Sequence, residues 1–247
     1  MVTSCFAARY RQVSEQVADF ARSYGRAPDD VAILLAVKTQ SAEAIREAVR
    51  SGARLLGHNR VQELQATGRD LQEAGLTAEL HLIGPLQSNK VNHTLRWASA
   101  IQTLDRESIV TRVAASLERL GADSAVARLG RESLDVMIQV NTSREASKHG
   151  CAPEEALDLA HHVSQYPNLA LRGLMTIGPL TDSVKDIRAA YATLARLREE
   201  IATSGLPGAE RCVELSMGMS ADLEPAIAEG ATIVRVGRAV FGERPSP

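Results

Sequence analysis

The feature that most limits the fold is a repeated alternation of short apolar runs with amphipathic helical stretches. The first run, Val31–Val37, ends at Lys38. It is short and bounded by polar residues, so it reads as a strand buried on both faces. Ser41 then caps a helix whose apolar positions are Ala44, Ile45, Ala48 and Val49, stopped by Gly52. The same unit recurs down the chain. Further strands are predicted at 53–56, 80–83, 100–103, 134–140, within 169–177, at 213–215 and at 232–236. Helices are predicted between them at 61–71, 90–97, 106–120, 153–164, 184–203 and 221–228. An amphipathic helix with Phe6, Val13, Val17 and Phe20 on one side precedes the first strand. The stretch 121–131 carries the weakest pattern and reads as a surface loop.

Strands alternating with helices imply a parallel sheet with crossover connections. Eight such units in about 210 residues point to a single α/β domain over 1–247, a (β/α)8 TIM-type barrel with an extra N-terminal helix. A doubly wound open sheet fits less well, because no glycine-rich loop follows the first strand.

Composition narrows the function classes. A net charge of −2 with 3% aromatic residues provides neither the basic stripe nor the stacking surface of a nucleic-acid binder. No stretch approaches the length of a membrane span, and the N-terminus lacks a signal-type apolar run. Cys5, Cys151 and Cys212 are far apart and odd in number, so neither a disulfide framework nor a cysteine zinc site is expected, and a cytoplasmic location is. No His, Asp and Glu cluster has metal-ligand spacing, and there is no nucleophile elbow.

In such a barrel the working residues stand at the C-terminal ends of the strands. Those positions hold Lys38, His58, Asn59, Gly84, Asn141, Met175, Thr176, Ser216 to Ser220, Arg235, Gly237 and Arg238, with His81 inside the third strand. Ser216-Met217-Gly218-Met219-Ser220 and Val236-Gly237-Arg238 form two glycine turns on adjacent strands. Backbone N–H groups there can cradle a phosphate. Lys38 lies beside strand eight once the barrel closes, where its amine could form an imine with a carbonyl on the same ligand. Pyridoxal phosphate and a phosphosugar both have that arrangement, and the pattern alone leaves both open. Asp222 and Glu224 read as structural residues at a helix start. His93, His149, His161 and His162 read as solvated, and Gln87 to Lys90 as a helix start.

Several longer blocks resemble one family. They are Leu35 to Thr39, Gly57 to Glu63, His81 to Lys90, Ser147 to Gly150, Arg172 to Met175, Leu215 to Ser220 and Val234 to Gly237. In this order they are similar to the pyridoxal phosphate homeostasis proteins, relatives of the alanine racemase barrel domain. The resemblance implies a fold type III barrel with pyridoxal 5'-phosphate held as an imine by Lys38. It implies that Asn59 lies beside the cofactor ring. It also implies that Met175, Ser216, Met217, Gly218, Met219, Ser220, Arg235, Gly237 and Arg238 belong to the cofactor site. Three positions depart from the family pattern: one residue is missing between Val37 and Lys38, His58 stands where Glu is usual, and Arg238 where a small hydroxyl residue is usual.

The resemblance further implies a role in intracellular cofactor homeostasis without clear turnover. Racemisation needs a base on each face of the reacting amino acid. The resembled racemases take one from a second domain, and this sequence closes after the last barrel strand. The expectation is therefore a cofactor-supply protein and not an enzyme, with apo enzymes as recipients and a monomer or weak dimer as its state. The alternative is a racemase-like enzyme using pyridoxal phosphate.

Overall fold

The computed structural model describes residues 5–242. Eight parallel strands close into a barrel in sequence order, β1 Ala32–Ala36, β2 Leu55–His58, β3 Glu79–Leu82, β4 Ala100–Leu104, β5 Leu134–Gln139, β6 Leu169–Met175, β7 Glu214–Met219 and β8 Ile233–Val236. β1 closes the ring by pairing Ala32, Ile33, Leu34 and Leu35 with Ile233 to Val236. The helices are α1 Cys5–Ser23, α2 Ala42–Arg50, α3 Val61–Glu73, α4 Val91–Leu95, α5 Glu107–Leu120, α6 Ala125–Arg128, α7 Ala156–Ser164, α8 Val184–Ala202, α9 Leu223–Ala228 and α10 Arg238–Phe241. The expected barrel and N-terminal helix are both present.

Side-chain alternation divides the core into two layers. Leu34, Met137, Met175 and Ile233 pack together inside the barrel, with Leu55 and Ile83 against them. The alternate positions, such as Leu35, Leu56, Leu82, Val136, Leu174 and Val234, join the larger layer between barrel and helices. Ser41 caps α2 as expected, accepting the Ala44 N–H at 3.2 Å.

Two expectations are corrected, and one element is added. The stretch 121–131 is not a plain loop: Ser124 caps the one-turn helix α6, which buries Ala125 and Val126. Its few apolar residues are too closely spaced to register as a helical period. β7 runs to Met219 instead of stopping near Ser216, because its glycine serves inside a strand end. The region after β8 forms α10, docked on α1 through Phe6 and Phe241, whose ring centroids are 5.2 Å apart, and through Arg9 Nε donating to the Val240 carbonyl at 2.6 Å.

Candidate functional site

The ends of β7 and β8 supply the clearest anion-binding geometry. Gly218 has φ +90, and a Cβ there would lie 2.5 Å from the Ala226 Cβ, so only glycine lets α9 approach the strand end. Asp222 is buried and accepts the Met219 N–H through Oδ1 and the Tyr191 hydroxyl through Oδ2 at 2.6 Å. These bonds fix the turn and leave Asp222 a structural role, as the sequence suggested. Beyond the turn, the N–H groups of Ser220 and Ala221 find no partner among the described residues, and the same is true of Gly237 and Arg238 at the neighbouring strand end. Four unpaired donors at adjacent strand ends are what a phosphate needs. The Arg238 side chain is exposed.

Lys38 stands on the other side of β8. Val37, just past the strand, packs into the outer core, and Lys38 follows it exposed at the mouth. β1 stops at Ala36, and a turn follows in which Gln40 N–H bonds the Val37 carbonyl at 3.1 Å. Thr39 occupies the third position of that turn with φ +64, a conformation that favours glycine. The strand thus gives way to a strained turn directly after the lysine. Lys38, Gly237 and Arg238 line one cavity of about 460 Å3, with Ala36, Thr39 and Gln40. A Cβ on Gly237 would come to 3.2 Å from the Ala36 carbonyl oxygen, so glycine keeps this corner open.

The remaining candidates divide. Met175 faces the barrel interior, and Asn59 is exposed at the end of β2. Met219 and Ser220 are exposed. Met217 turns its side chain into the outer core, leaving only its backbone towards the mouth. His58 is 1% exposed, and neither ring nitrogen has a partner among the described residues. Burial drives its pKa down to about 4, so it is neutral at physiological pH. His162 and His93 bond Thr111 and Gln65 at exposed positions.

Arg235 is buried and donates to the carbonyls of Ser216 and Thr176, each at 2.7 Å, and to the Ser216 hydroxyl at 2.9 Å. Desolvation lowers its pKa. Ser216 Oγ in turn donates to Gln102 Oε1 at 2.7 Å, and Gln102 Nε2 meets His81 Nδ1 at 2.9 Å. The Ser216 hydroxyl is therefore already committed on both sides. Gln102 is the structural member that sequence reasoning did not assign to the site, while Thr176, read at the end of the sixth strand, enters through its carbonyl. The inward parity of Gln102 was readable, but its partner Ser216 lies on a distant strand.

The chain matches the family described as alanine racemase, N-terminal domain, over residues 15–245. It is similar to an alanine racemase of Clostridium difficile in fold, with a TM-score of 0.70 at 14% identity over 94% of this chain and 57% of that one. At closer range it is 41% identical over 241 residues to the pyridoxal phosphate homeostasis protein of Pseudomonas aeruginosa, covering 98% of this chain and 96% of the relative. The Escherichia coli protein of the same name is 39% identical, with 94% of each chain covered. PipY of Synechococcus elongatus, solved with pyridoxal phosphate bound, matches with a TM-score of 0.75 at 31% identity, covering 92% of this chain and all of that one. The fold and site thus define a barrel of the alanine racemase N-terminal type, and within that class the chain belongs to the pyridoxal phosphate homeostasis protein family. Among the described residues, no helix is long and apolar enough to cross a membrane, and no group of three His, Cys, Asp or Glu could hold a metal.

Proposed function

We propose that this chain, as one cofactor-binding domain over 1–247, binds pyridoxal 5'-phosphate and serves its cytoplasmic homeostasis without turnover. Lys38 Nζ is the covalent tether. The observation that carries this reading is one cavity shared by Lys38 with Gly237 and Arg238, whose backbone N–H groups are unpaired, beside two more unpaired donors at the neighbouring end of β7. When bound, the cofactor supplies an aldehyde that a primary amine captures reversibly with loss of water. The residues fit that group at both ends. Ser220, Ala221, Gly237 and Arg238 present N–H donors for its phosphate. Met175, Asn59 and the backbone of Met217 to Met219 border the mouth between. Ser216 and Arg235 hold β6, β7 and β8 together from beneath. Lys148, another lysine near this end, is already held by Glu145 Oε1 at 2.7 Å and the Gly178 carbonyl at 2.6 Å.

The absence of turnover rests on the cavity's chemistry. Its ionisable lining groups among the described residues are Lys38 and Arg238, and an arginine does not act as a second base at neutral pH. The mouth is also open, which weakens electrostatic stabilisation of a transition state and eases cofactor release to apo enzymes. The protein acts as a monomer or weak dimer in this reading.

Absorbance spectroscopy with borohydride trapping tests the tether. Wild type mixed with pyridoxal phosphate is expected to show a visible band, and reduction should fix the cofactor's mass on the peptide holding Lys38. Lys38→Ala should lose both while its circular dichroism is unchanged. A band that persists in Lys38→Ala, or a label on Lys148, defeats the assignment. Turnover of alanine by wild type well above that of free cofactor defeats the supply reading while leaving the tether intact.

A further inference from the structure

The opposite, N-terminal mouth of the barrel is also hollow. Its cavity of about 510 Å3 is lined by five carboxylates, Asp29, Asp30, Glu79, Asp135 and Glu214, against the two arginines Arg26 and Arg172. Arg131 pairs with Glu79 at 2.9 Å and Asp135 at 3.5 Å, and Arg172 approaches Asp135 at 3.5 Å. Arg26 donates to the carbonyls of Ile227, Ala231 and Asp30. Asp29 and Glu214 have no cationic partner among the described residues. The mouth therefore keeps an excess of negative charge after its own arginines are counted.

A second feature points into the same cavity. The His81 side chain is 7% exposed, lines the cavity, and its Nε2 has no hydrogen-bond partner among the described residues. Glu79 Oε2 lies 3.9 Å from it, too far for a hydrogen bond, so Arg131 is the carboxylate's bonded partner. The orientation of the Gln102 amide sets the proton on His81. Arg235 has only donors, so Ser216 Oγ accepts from it and gives its own proton to Gln102 Oε1. The Gln102 amide nitrogen then donates to His81 Nδ1, and neutral His81 carries its proton on Nε2. An N–H aimed into the cavity needs an acceptor, and it offers no lone pair to a metal ion.

We propose that the N-terminal mouth is a second ligand site, which takes a small protonated amino alcohol. Its ammonium is held by Glu214 and Asp29, and its hydroxyl accepts the His81 Nε2 proton. The volume suits a small molecule. This site is independent of the cofactor reading, since it lies at the other end of the barrel.

The test is titration calorimetry at low salt with N,N-dimethylethanolamine, a tertiary amine that cannot condense with an aldehyde at the other mouth. Saturable one-to-one binding is expected. The same binding should persist in Lys38→Ala, weaken about tenfold in Glu214→Gln, and weaken less in the exposed-site variant Asp29→Asn. N,N-dimethylpropylamine, which replaces the hydroxyl with a methyl group, should bind at least about fivefold more weakly, through loss of one hydrogen bond. Side-chain 15N spectra should show His81 as the Nε2–H tautomer, with that signal moving on titration. Absence of saturable binding overturns the proposal. So does binding that is lost in Lys38→Ala, or that is equal for the two amines and unchanged in both carboxylate variants.

Discussion

The two mouths of this barrel are built from opposite materials. At the C-terminal mouth the polar groups are mostly backbone: unpaired N–H donors beside two glycines, with Lys38 the amine among them. At the N-terminal mouth they are side chains, with Arg131 and Arg172 paired to Glu79 and Asp135 and further carboxylates left without a cationic partner. Backbone donors are fixed by the strand ends and lose no side-chain entropy on meeting an anion, so they suit tight recognition of one group. Charged side chains instead set the sign of the field and can rearrange. The first mouth is suited to a phosphate, the second to a cation. One oriented hydrogen-bond chain from Arg235 to His81 runs between them.

Breaking that chain at its charged end should have the largest effect. Arg235→Leu removes the donors from two buried carbonyls and from Ser216 Oγ, which should cost roughly 3–5 kcal/mol of stability. Urea unfolding measures this. A loss below about 1 kcal/mol would mean that neither mouth depends on the shared interior.

The next test concerns His58, a buried polar side chain under the C-terminal mouth with no partner among the described residues. Its folded pKa of about 4 lies below its unfolded value of 6.5. The unfolded chain therefore binds the proton first, and stability falls as pH drops from 6.5 towards 4, by about 3 kcal/mol in all. His58→Leu should keep or raise stability at pH 7 and flatten this slope. Glu79 is a counterpart from the N-terminal mouth. Its Arg131 partner holds its carboxyl below the usual carboxylate range, so its contribution is present above 4.5 and fades as the pH falls below that. The two windows separate the two mouths in one acid titration of stability, and a wild-type slope unaltered in His58→Leu would remove His58 from the account.

A smaller effect is expected at the phosphate end. Gly237→Asp puts a carboxylate where an anion should sit and crowds the Ala36 carbonyl. Cofactor retention should weaken by roughly 1–2 kcal/mol, about tenfold or more in Kd, with the fold intact. Equilibrium dialysis reads this directly, and retention equal to wild type would take the phosphate away from β8.

The contrast between the mouths also explains what was legible beforehand. The barrel could be read because eight apolar runs separated by helical periods admit few closed arrangements. The C-terminal mouth could be read because glycine turns and a terminal lysine are local signals. Strand ends were less certain: β7 extends through Ser216-Met217-Gly218, which looks like a loop by composition. The interior chain was not legible. Alternation says that Gln102, Ser216 and Arg235 face inward, but their pairing spans up to 114 positions and depends on the closed ring and its register shifts.

The finest test returns to the turn after β1. Thr39 is β-branched and sits at φ +64, where a side chain crowds its own backbone. Thr39→Gly removes that strain, worth about 1–2 kcal/mol, but gives the unfolded chain more freedom, a loss of roughly 0.5–1 kcal/mol. The net should be a gain below about 1 kcal/mol in urea unfolding. The consequence for Lys38 has the opposite sign. Thr39 limits the conformations of the turn that carries the lysine, and a glycine there spreads Lys38 over more positions. Thr39→Gly should therefore be slightly more stable yet tether a smaller fraction of added cofactor. A variant that gains stability and tethers as much cofactor as wild type would show that the strain does not aim the lysine.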